Sequence, residues 1–342
     1  MNQIYRVGII GTGGIARTHA RGYQSLGNAE LVAGVDINTA SVNGFADEFG
    51  LGGKYTDFQK MLEKEDLDIV SVCTWPGTHA EAAIAAAEAG VKAILCEKPM
   101  AVSLGSADAM LEACEKSGTK LAIGHHSRFD PRNTEARRLI AAGAIGQPTV
   151  LHSRSGGGLT NNGTHTIDRM RYWLSDPETE WVIGQAERRT DRYERAEPIE
   201  DRCAGIICFV GGMRAILESD LPESDAPDPG TLICGTEGML KISDALYIQN
   251  GEGTGSRQVD VSGDTNQFVE LIGWIEGRND HRNDAKHGRA TVEIMMAIYE
   301  SVRTKGLVQL PLETKASPLV MMIEDGSLPV ERPGRYDIRL RA

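Results

Sequence analysis

The sequence predicts an α/β protein in two parts. Residues 1–124 read as a doubly wound parallel sheet, and residues 125–342 as an α+β domain on an open, mainly antiparallel or mixed sheet. Three observations predict this. Short apolar runs alternate with helical segments through the first third. A glycine-rich turn closes the first run. Beyond Thr149 the pattern changes to closely spaced strands with a hairpin. At roughly 100–200 residues per domain, 342 residues suit two domains.

In the first part, strands are expected at Tyr5–Ile10, Leu31–Val35, Ile69–Thr74, Ala93–Cys96 and Lys120–Ile123. His79–Ala89 is alanine-rich and helical; Thr78 and Glu81 match a capping box, and Gly90 ends it. Ala107–Lys116 is a second helix, stopped near Gly118. Strands alternating with helices imply βαβ units and a parallel sheet. In the second part, Cys203–Val210, Gly211–Gly212 and Met213–Asp220 read as a hairpin with a two-residue turn. Further strands are expected at Thr149–Arg154, Thr231–Cys234, Met239–Ile242 and Ala245–Ile248, with a long helix at Ala290–Val302. Ser224–Gly230 and Gly251–Gly255 read as exposed loops.

The net charge of −12 disfavours nucleic acid and anionic membranes, which need a positive footprint. The N-terminus lacks a basic segment followed by an apolar run, and no apolar stretch approaches the ~18 residues of a membrane span. A cytoplasmic enzyme is expected. None of the six cysteines forms a C-x-x-C pair, so no metal is expected. Cys203 and Cys208 would face opposite sides of one strand, so buried free thiols are the better reading.

Gly11-Thr12-Gly13-Gly14-Ile15-Ala16 matches G-x-G-x-x-A between a strand and a helix, the context a Rossmann dinucleotide turn needs. Gly11 permits the tight turn, Gly13 lets backbone approach a pyrophosphate, and Ala16 keeps the helix close to the sheet. The helix N-terminus supplies N–H donors without Lys or Arg. Asp36 ends the second strand and can accept from adenosine ribose hydroxyls; it would repel a 2′-phosphate. Ile37 and Asn38 add no basic group, so NAD is expected over NADP. The remaining candidates also follow strand ends: Thr74, Trp75 and His79, then Glu97-Lys98-Pro99, then Arg128. Open α/β sheets bind ligands there, so one crevice could collect them.

With Glu97-Lys98-Pro99 in place, the chain resembles the Gfo/Idh/MocA oxidoreductase family over nearly its whole length. The resemblance rests on GTGGIA at 11–16, Thr74–His79, EKP at 97–99, Gly163-Thr164-His165-Thr166-Ile167-Asp168 and Cys234–Gly238. It implies a Rossmann domain, a C-terminal open mixed sheet that pairs copies into homodimers or homotetramers, and a sugar or cyclitol substrate. It assigns Lys98 and His165 to catalysis. Inositol dehydrogenases of the family usually carry an aspartate where this chain has Asn161, which can orient a partner but cannot supply negative charge. Asp168 could share a helix face with His165 or serve structure.

Oxidising a secondary alcohol needs a base at the hydroxyl, positive charge at the oxygen and a hydride acceptor. His165 suits the first role and Lys98 the second, although a desolvated lysine could itself be the base. Arg128, Arg154, Asn161 and Asn162 are further substrate candidates, with His281 and Arg282 in a polar stretch that could reach the pocket. Arg128 suits a salt bridge equally well. The reaction expected is hydride transfer between nicotinamide and a ring hydroxyl or ketone. A redox-neutral elimination or hydrolysis using NAD, or a non-catalytic NAD or sugar sensor, are the alternatives.

Overall fold

The computed structural model describes residues 3–220, 230–251 and 255–334. The chain forms two compact units, residues 1–125 with 265–289, and residues 126–264 with 290–342. The sequence suggested a single boundary after residue 124; the return of 265–289 to the first unit carries no sequence signal that we identified. Of the loops expected at Ser224–Gly230 and Gly251–Gly255, residues 224–229 and 252–254 lie outside the described residues.

The first unit runs β1 (Tyr5–Ile10), α1 (Gly14–Gln24), β2 (Ala29–Val35), α2 (Thr39–Phe49), β3 (Gly53–Tyr55), α3 (Phe58–Lys64), β4 (Ile69–Val72), α4 (His79–Glu88), β5 (Ala93–Cys96), α5 (Leu104–Ser117) and β6 (Lys120–Ile123). The strands are all parallel, in the order β3-β2-β1-β4-β5-β6. Every residue of β4 and β5 is buried, as expected of strands with both faces covered. Asn38, Asp57 and Ser103 cap α2, α3 and α5 with their side chains. The capping box expected at α4 does not form. Pro76–Thr78 is a 3-10 turn running straight into the helix, and Thr78 Oγ1 instead donates to the Trp75 carbonyl (3.0 Å).

The second unit runs α6 (Pro131–Ala141), β7 (Pro148–Ser155), α7 (Thr164–Trp173), β8 (Thr179–Glu187), β9 (Tyr193–Glu194), β10 (Glu197–Pro198), β11 (Arg202–Phe209), β12 (Arg214–Ser219), β13 (Thr231–Gly235), β14 (Gly238–Ile242), β15 (Leu246–Asn250) and β16 (Arg257–Val259). The chain then contributes α8 (Gln267–Ile275) to the first unit. After α8 come α9 (Ala285–Thr304), β17 (Val308–Gln309) and α10 (Pro318–Glu324).

The α8 segment joins the first unit through its apolar face. Asn266 caps the helix, and Phe268 stands on α1 over Gly22, where a Cβ would come within 2.1 Å of the ring. His19 and Tyr23 meet the same ring edge-on.

In the second unit a nine-stranded sheet has the order β16-β15-β14-β13-β7-β12-β11-β8-β17. Only β7 and β12 pair in parallel, so the sheet is mixed and mainly antiparallel. The β11–β12 hairpin forms where expected, with Gly211 and Gly212 both at positive φ. Its loop is wider than two residues, since Phe209 N donates to the Met213 carbonyl. The glycine pair Gly184 and Gly205 lets Ile298 of α9 sit directly on the sheet. Cys203 and Cys208 are free and buried.

Candidate active site

The candidate cofactor site lies in the first unit, where β1 turns into α1. Gly11 has φ +87°, and a Cβ there would lie 2.8 Å from the Cys73 carbonyl and the Thr74 nitrogen. Only glycine admits this approach of two chain segments. Gly13 caps α1 without a side-chain bond, and a Cβ on Gly13 or Gly14 would meet nothing within 4 Å. Gly13, Gly14 and Ile15 are exposed, so the first-turn N–H groups face open space. Donors of this kind at a helix N-terminus hold a pyrophosphate.

Asp36 stands at the end of β2 with Oδ2 accepting from Thr12 N (2.8 Å) and Thr12 Oγ1 (3.0 Å) and Oδ1 accepting from Asn38 N (2.9 Å). Thr12 is therefore buried and spent on orienting the carboxylate. Oδ2 thus accepts two bonds already, while Oδ1 retains a lone pair for a ribose hydroxyl. Ile37 beside it is 82% exposed, an apolar surface suited to a base. Thr74 Oγ1, at the end of β4, is buried with no hydrogen-bond partner among the described residues, and Trp75 is half-buried next to it. The open helix terminus, the oriented carboxylate and this orphaned hydroxyl fit a dinucleotide.

Lys98 follows β5 and is half-buried. The residue before it, Glu97, accepts from the His19 ring on α1 (Nε2 to Oε1, 2.9 Å) and from the Lys98 backbone N–H (3.3 Å). His19 Nδ1 lies 3.0 Å from Ser71 Oγ, which also meets Tyr23 OH at 2.9 Å. Burial weighs against the imidazolium, but Cys73 and Glu97 outweigh it and lift His19 to about 10. Burial pushes Glu97 up, yet the bond and charge of His19 with Lys98 hold it below its ordinary range. Glu97 and His19 thus form a buried ion pair that anchors the loop carrying Lys98. Gly124 leaves room for it; a Cβ there would lie 2.7 Å from Glu97 Oε1.

His79, expected at the cofactor, is fully buried. Its ring nitrogens lie 2.9 Å from the Pro99 carbonyl and 3.1 Å from the Thr74 carbonyl. Burial lowers its pKa against the pull of the two carbonyls, and the ring lies between the two strand-end loops instead of reaching outward.

In the second unit, His165 occupies the first turn of α7, half-buried, and stacks on His126 at 5.1 Å between ring centroids. The approach to α7 is a glycine turn with Gly157 and Gly158 at φ +88° and +87°. Asp220 accepts from both of their N–H groups (2.8 and 2.7 Å), and Glu200 accepts from Leu159 N (2.6 Å) while holding Tyr299 OH (2.5 Å). Asn161 donates to the Gly157 carbonyl and accepts from Arg195, and Asn162 donates to the Gly156 carbonyl. Both asparagines therefore fasten the turn that presents His165.

Four of the expected substrate candidates have partners within the protein. Arg128 is 1% exposed and its donors go to Asp168 and Asp176, with Nε and Nη2 forking onto Asp168 (2.9 and 2.7 Å). It is an interior salt bridge, and Asp168 is its partner. His281, buried in the first unit, accepts from Asn283 N at Nδ1 and donates to the Gln267 carbonyl from Nε2. Arg282 pairs with Glu270. Arg154 is exposed and pairs with Glu218 across β12. Sequence reasoning missed His19, His126, Asp220 and Glu200, whose roles depend on tertiary neighbours. His19 alone left a trace, as a polar residue on the α1 face that Ala16 and Ala20 mark as buried.

Among the described residues no group of three or more His, Cys, Asp or Glu side chains could hold a metal ion, and no helix is long and apolar enough to cross a membrane.

A dinucleotide turn on a parallel sheet, joined to a mixed-sheet unit that presents a histidine from a glycine-rich turn, defines a two-part NAD-dependent oxidoreductase. The chain belongs to the Gfo/Idh/MocA oxidoreductase family. Residues 5–125 match its NAD-binding Rossmann fold, and residues 147–310 its C-terminal α/β domain. Inositol 2-dehydrogenase 3 of Saccharopolyspora erythraea is 32% identical over 256 residues, covering 70% of this chain and 73% of that one. D-glucoside 3-dehydrogenase of Escherichia coli is 27% identical over 342 aligned positions, covering 89% and 97%. The aldose-aldose oxidoreductase of Caulobacter crescentus superposes with a TM-score of 0.77 at 23% identity, over 90% of this chain and all of that one.

Proposed function

We propose that this enzyme moves hydride between NAD and a ring secondary hydroxyl or ketone of a sugar, glycoside or cyclitol. The curated relatives named above act on an inositol and a glucoside, which supports that substrate class. When bound, NAD supplies the hydride acceptor, and NADH the donor in reverse. Lys98 places its ammonium at the substrate oxygen and stabilises the charge that develops there. His165 accepts the hydroxyl proton on its imidazole, and returns it in the reductive direction. The observation that carries the reading is the buried Glu97–His19 pair immediately before Lys98. It fixes the backbone from which the ammonium projects, at the carboxyl end of β5 where parallel sheets bind ligands.

We read the protein as cytoplasmic and as a homodimer or homotetramer through the second unit's sheet. Ile183 and Ile206 support the assembly: they are cross-strand partners on the face away from α9, and are 41% and 37% exposed.

Lys98→Met tests the chemistry. NADH formation over a panel of inositols, aldoses and glycosides should fall by about 100-fold or more, since positioned charge and proton-transfer groups contribute on that scale. A variant keeping more than about half of wild-type turnover removes Lys98 from the mechanism.

A further inference from the structure

We infer that the substrate carries an anionic oxygen group, a carboxylate or phosphate, received by Arg169 in a cleft of the second unit. This deepens the proposed sugar or cyclitol reading and rests on it. The cleft has a volume of about 640 Å³ and lies among α6, α7 and the β7–β13–β14 part of the sheet. Pockets of that size hold sugar-sized ligands. Arg169 lines it, four residues after His165 on α7, so the two side chains share one helix face. Ser127, also on the cleft wall, follows the His126 ring on which His165 stacks.

Among the described residues Arg169 is the cation of this cleft that has no carboxylate partner. Its Nη2 donates to Thr166 Oγ1 (3.2 Å), while its Nε is buried with no hydrogen-bond partner. Among the described residues no carboxylate forms an ion pair with it. The neighbouring carboxylates are engaged elsewhere: Asp130 forks onto Arg132 (3.0 and 2.6 Å), and Asp168 forks onto Arg128. Arg154, the third arginine of the cleft, pairs with Glu218. Asp244 at the cleft is exposed and accepts from Ser243 Oγ (2.9 Å). Burial outweighs the nearby carboxylates and lowers the Arg169 pKa, so its surroundings under-compensate the charge. A half-buried guanidinium with an unspent donor is stabilised by a planar anion.

Part of the cleft wall is preorganised. Trp173 Nε1 donates to Asn133 Oδ1 (3.0 Å), and Asn133 Nδ2 donates to the Ser127 carbonyl (2.8 Å). A ligand need not order this part of the wall on binding.

The test compares charged and neutral twins with the NAD-loaded enzyme: glucuronate against glucose, glucose 6-phosphate against glucose, and an inositol monophosphate against inositol. Wild type should favour one charged twin in kcat/KM by about tenfold or more, the scale of a charge-assisted hydrogen bond. Arg169→Gln should abolish that preference through KM, lowering kcat/KM for the charged twin by about tenfold more than for the neutral one. Ser127→Asp, which adds a negative charge without touching Arg169, should do the same. The carboxylate and phosphate arms tell the two groups apart. The inference is overturned if neutral twins equal or exceed charged ones in every arm, or if both substitutions weaken charged and neutral twins alike. If no twin is oxidised, the same ratios are read from calorimetric dissociation constants. A charge preference lost in Arg169→Gln then upholds the cleft while the hydride-transfer reading falls; no preference overturns the cleft.

Discussion

His19 Nε2 lies 2.9 Å from Glu97 Oε1, inside the first unit and one residue before Lys98 in the chain. The imidazole is held protonated, to about 10, and the carboxylate ionised, so folding creates this charge pair. Above pH 6.5 the folded protein binds a proton at His19 that the unfolded chain releases. The stabilisation is therefore complete below pH 6.5 and disappears as pH rises toward about 10. Melting temperatures should decline across that window in the wild type. They should decline less in His19→Gln, which has no ring to titrate. A buried pair deprived of one partner costs about 3–5 kcal/mol, so Glu97→Ala should lower stability by that order in a urea titration. Parallel pH curves for wild type and His19→Gln would show that the ring is not held charged.

Arg128 supplies a second interior charge cluster with a different purpose. Its guanidinium holds Asp168 of α7 and Asp176 just beyond that helix, and Arg137 adds a second cation on Asp176. Arg128→Met should therefore destabilise the protein by about 3–5 kcal/mol by leaving buried carboxylates uncompensated. The folded fraction should keep its KM for substrate. A raised KM at unchanged stability would instead return Arg128 to the substrate pocket.

These two clusters show what could be read from the sequence and what could not. The Rossmann half was legible because its determinants are local: a strand ending in Gly11, a helix starting at Gly14, and an acid at the end of the next strand. Strands Tyr5–Ile10, Ala93–Cys96 and Lys120–Ile123 fall where apolar runs placed them. In the second unit β8 was missed, because Trp181, Ile183 and Gln185 on one face obscure the alternation that marks a half-buried strand. β3, β16 and β17 are too short to carry a periodic signal. Arg128 and His281 look like surface ligands in sequence. Only the fold brings Asp168, Asp176 and the Gln267 carbonyl to them, and such partners lie 14 to 48 residues away.

Asp36 should decide between the two nicotinamide cofactors. Thr12 orients its carboxylate through two bonds, and among the immediate neighbours Ile37 and Asn38 neither is basic. A 2′-phosphate would meet that negative charge directly. Asp36→Ser should lower kcat/KM for NAD by about tenfold to a hundredfold, the worth of hydrogen bonds to a charged group, while raising that for NADP. Initial rates with both cofactors check this. A wild type that prefers NADP by tenfold or more would contradict the assignment.

The exposed pair Ile183 and Ile206 should mark where copies of this chain meet. The residues are directly opposite on β8 and β11, and their strand neighbours Gly184 and Gly205 turn toward α9 on the other face. Adjacent β-branched side chains on the second and third strands from the β17 edge of the nine-stranded sheet form an apolar patch that water solvates poorly. A second sheet laid against them would bury both. Ile206→Lys adds a charge to that patch without entering the core, so the isolated fold should lose no more than about 0.5–1 kcal/mol. Burying the new ammonium against its symmetry mate would cost far more, because a C2 contact brings the same charge from both sides. Sedimentation should then show wild type as a dimer or tetramer and the variant shifted toward the 37.0 kDa monomer. A wild type that sediments as a monomer, or an assembly indifferent to the lysine, would mean that this face is not the contact.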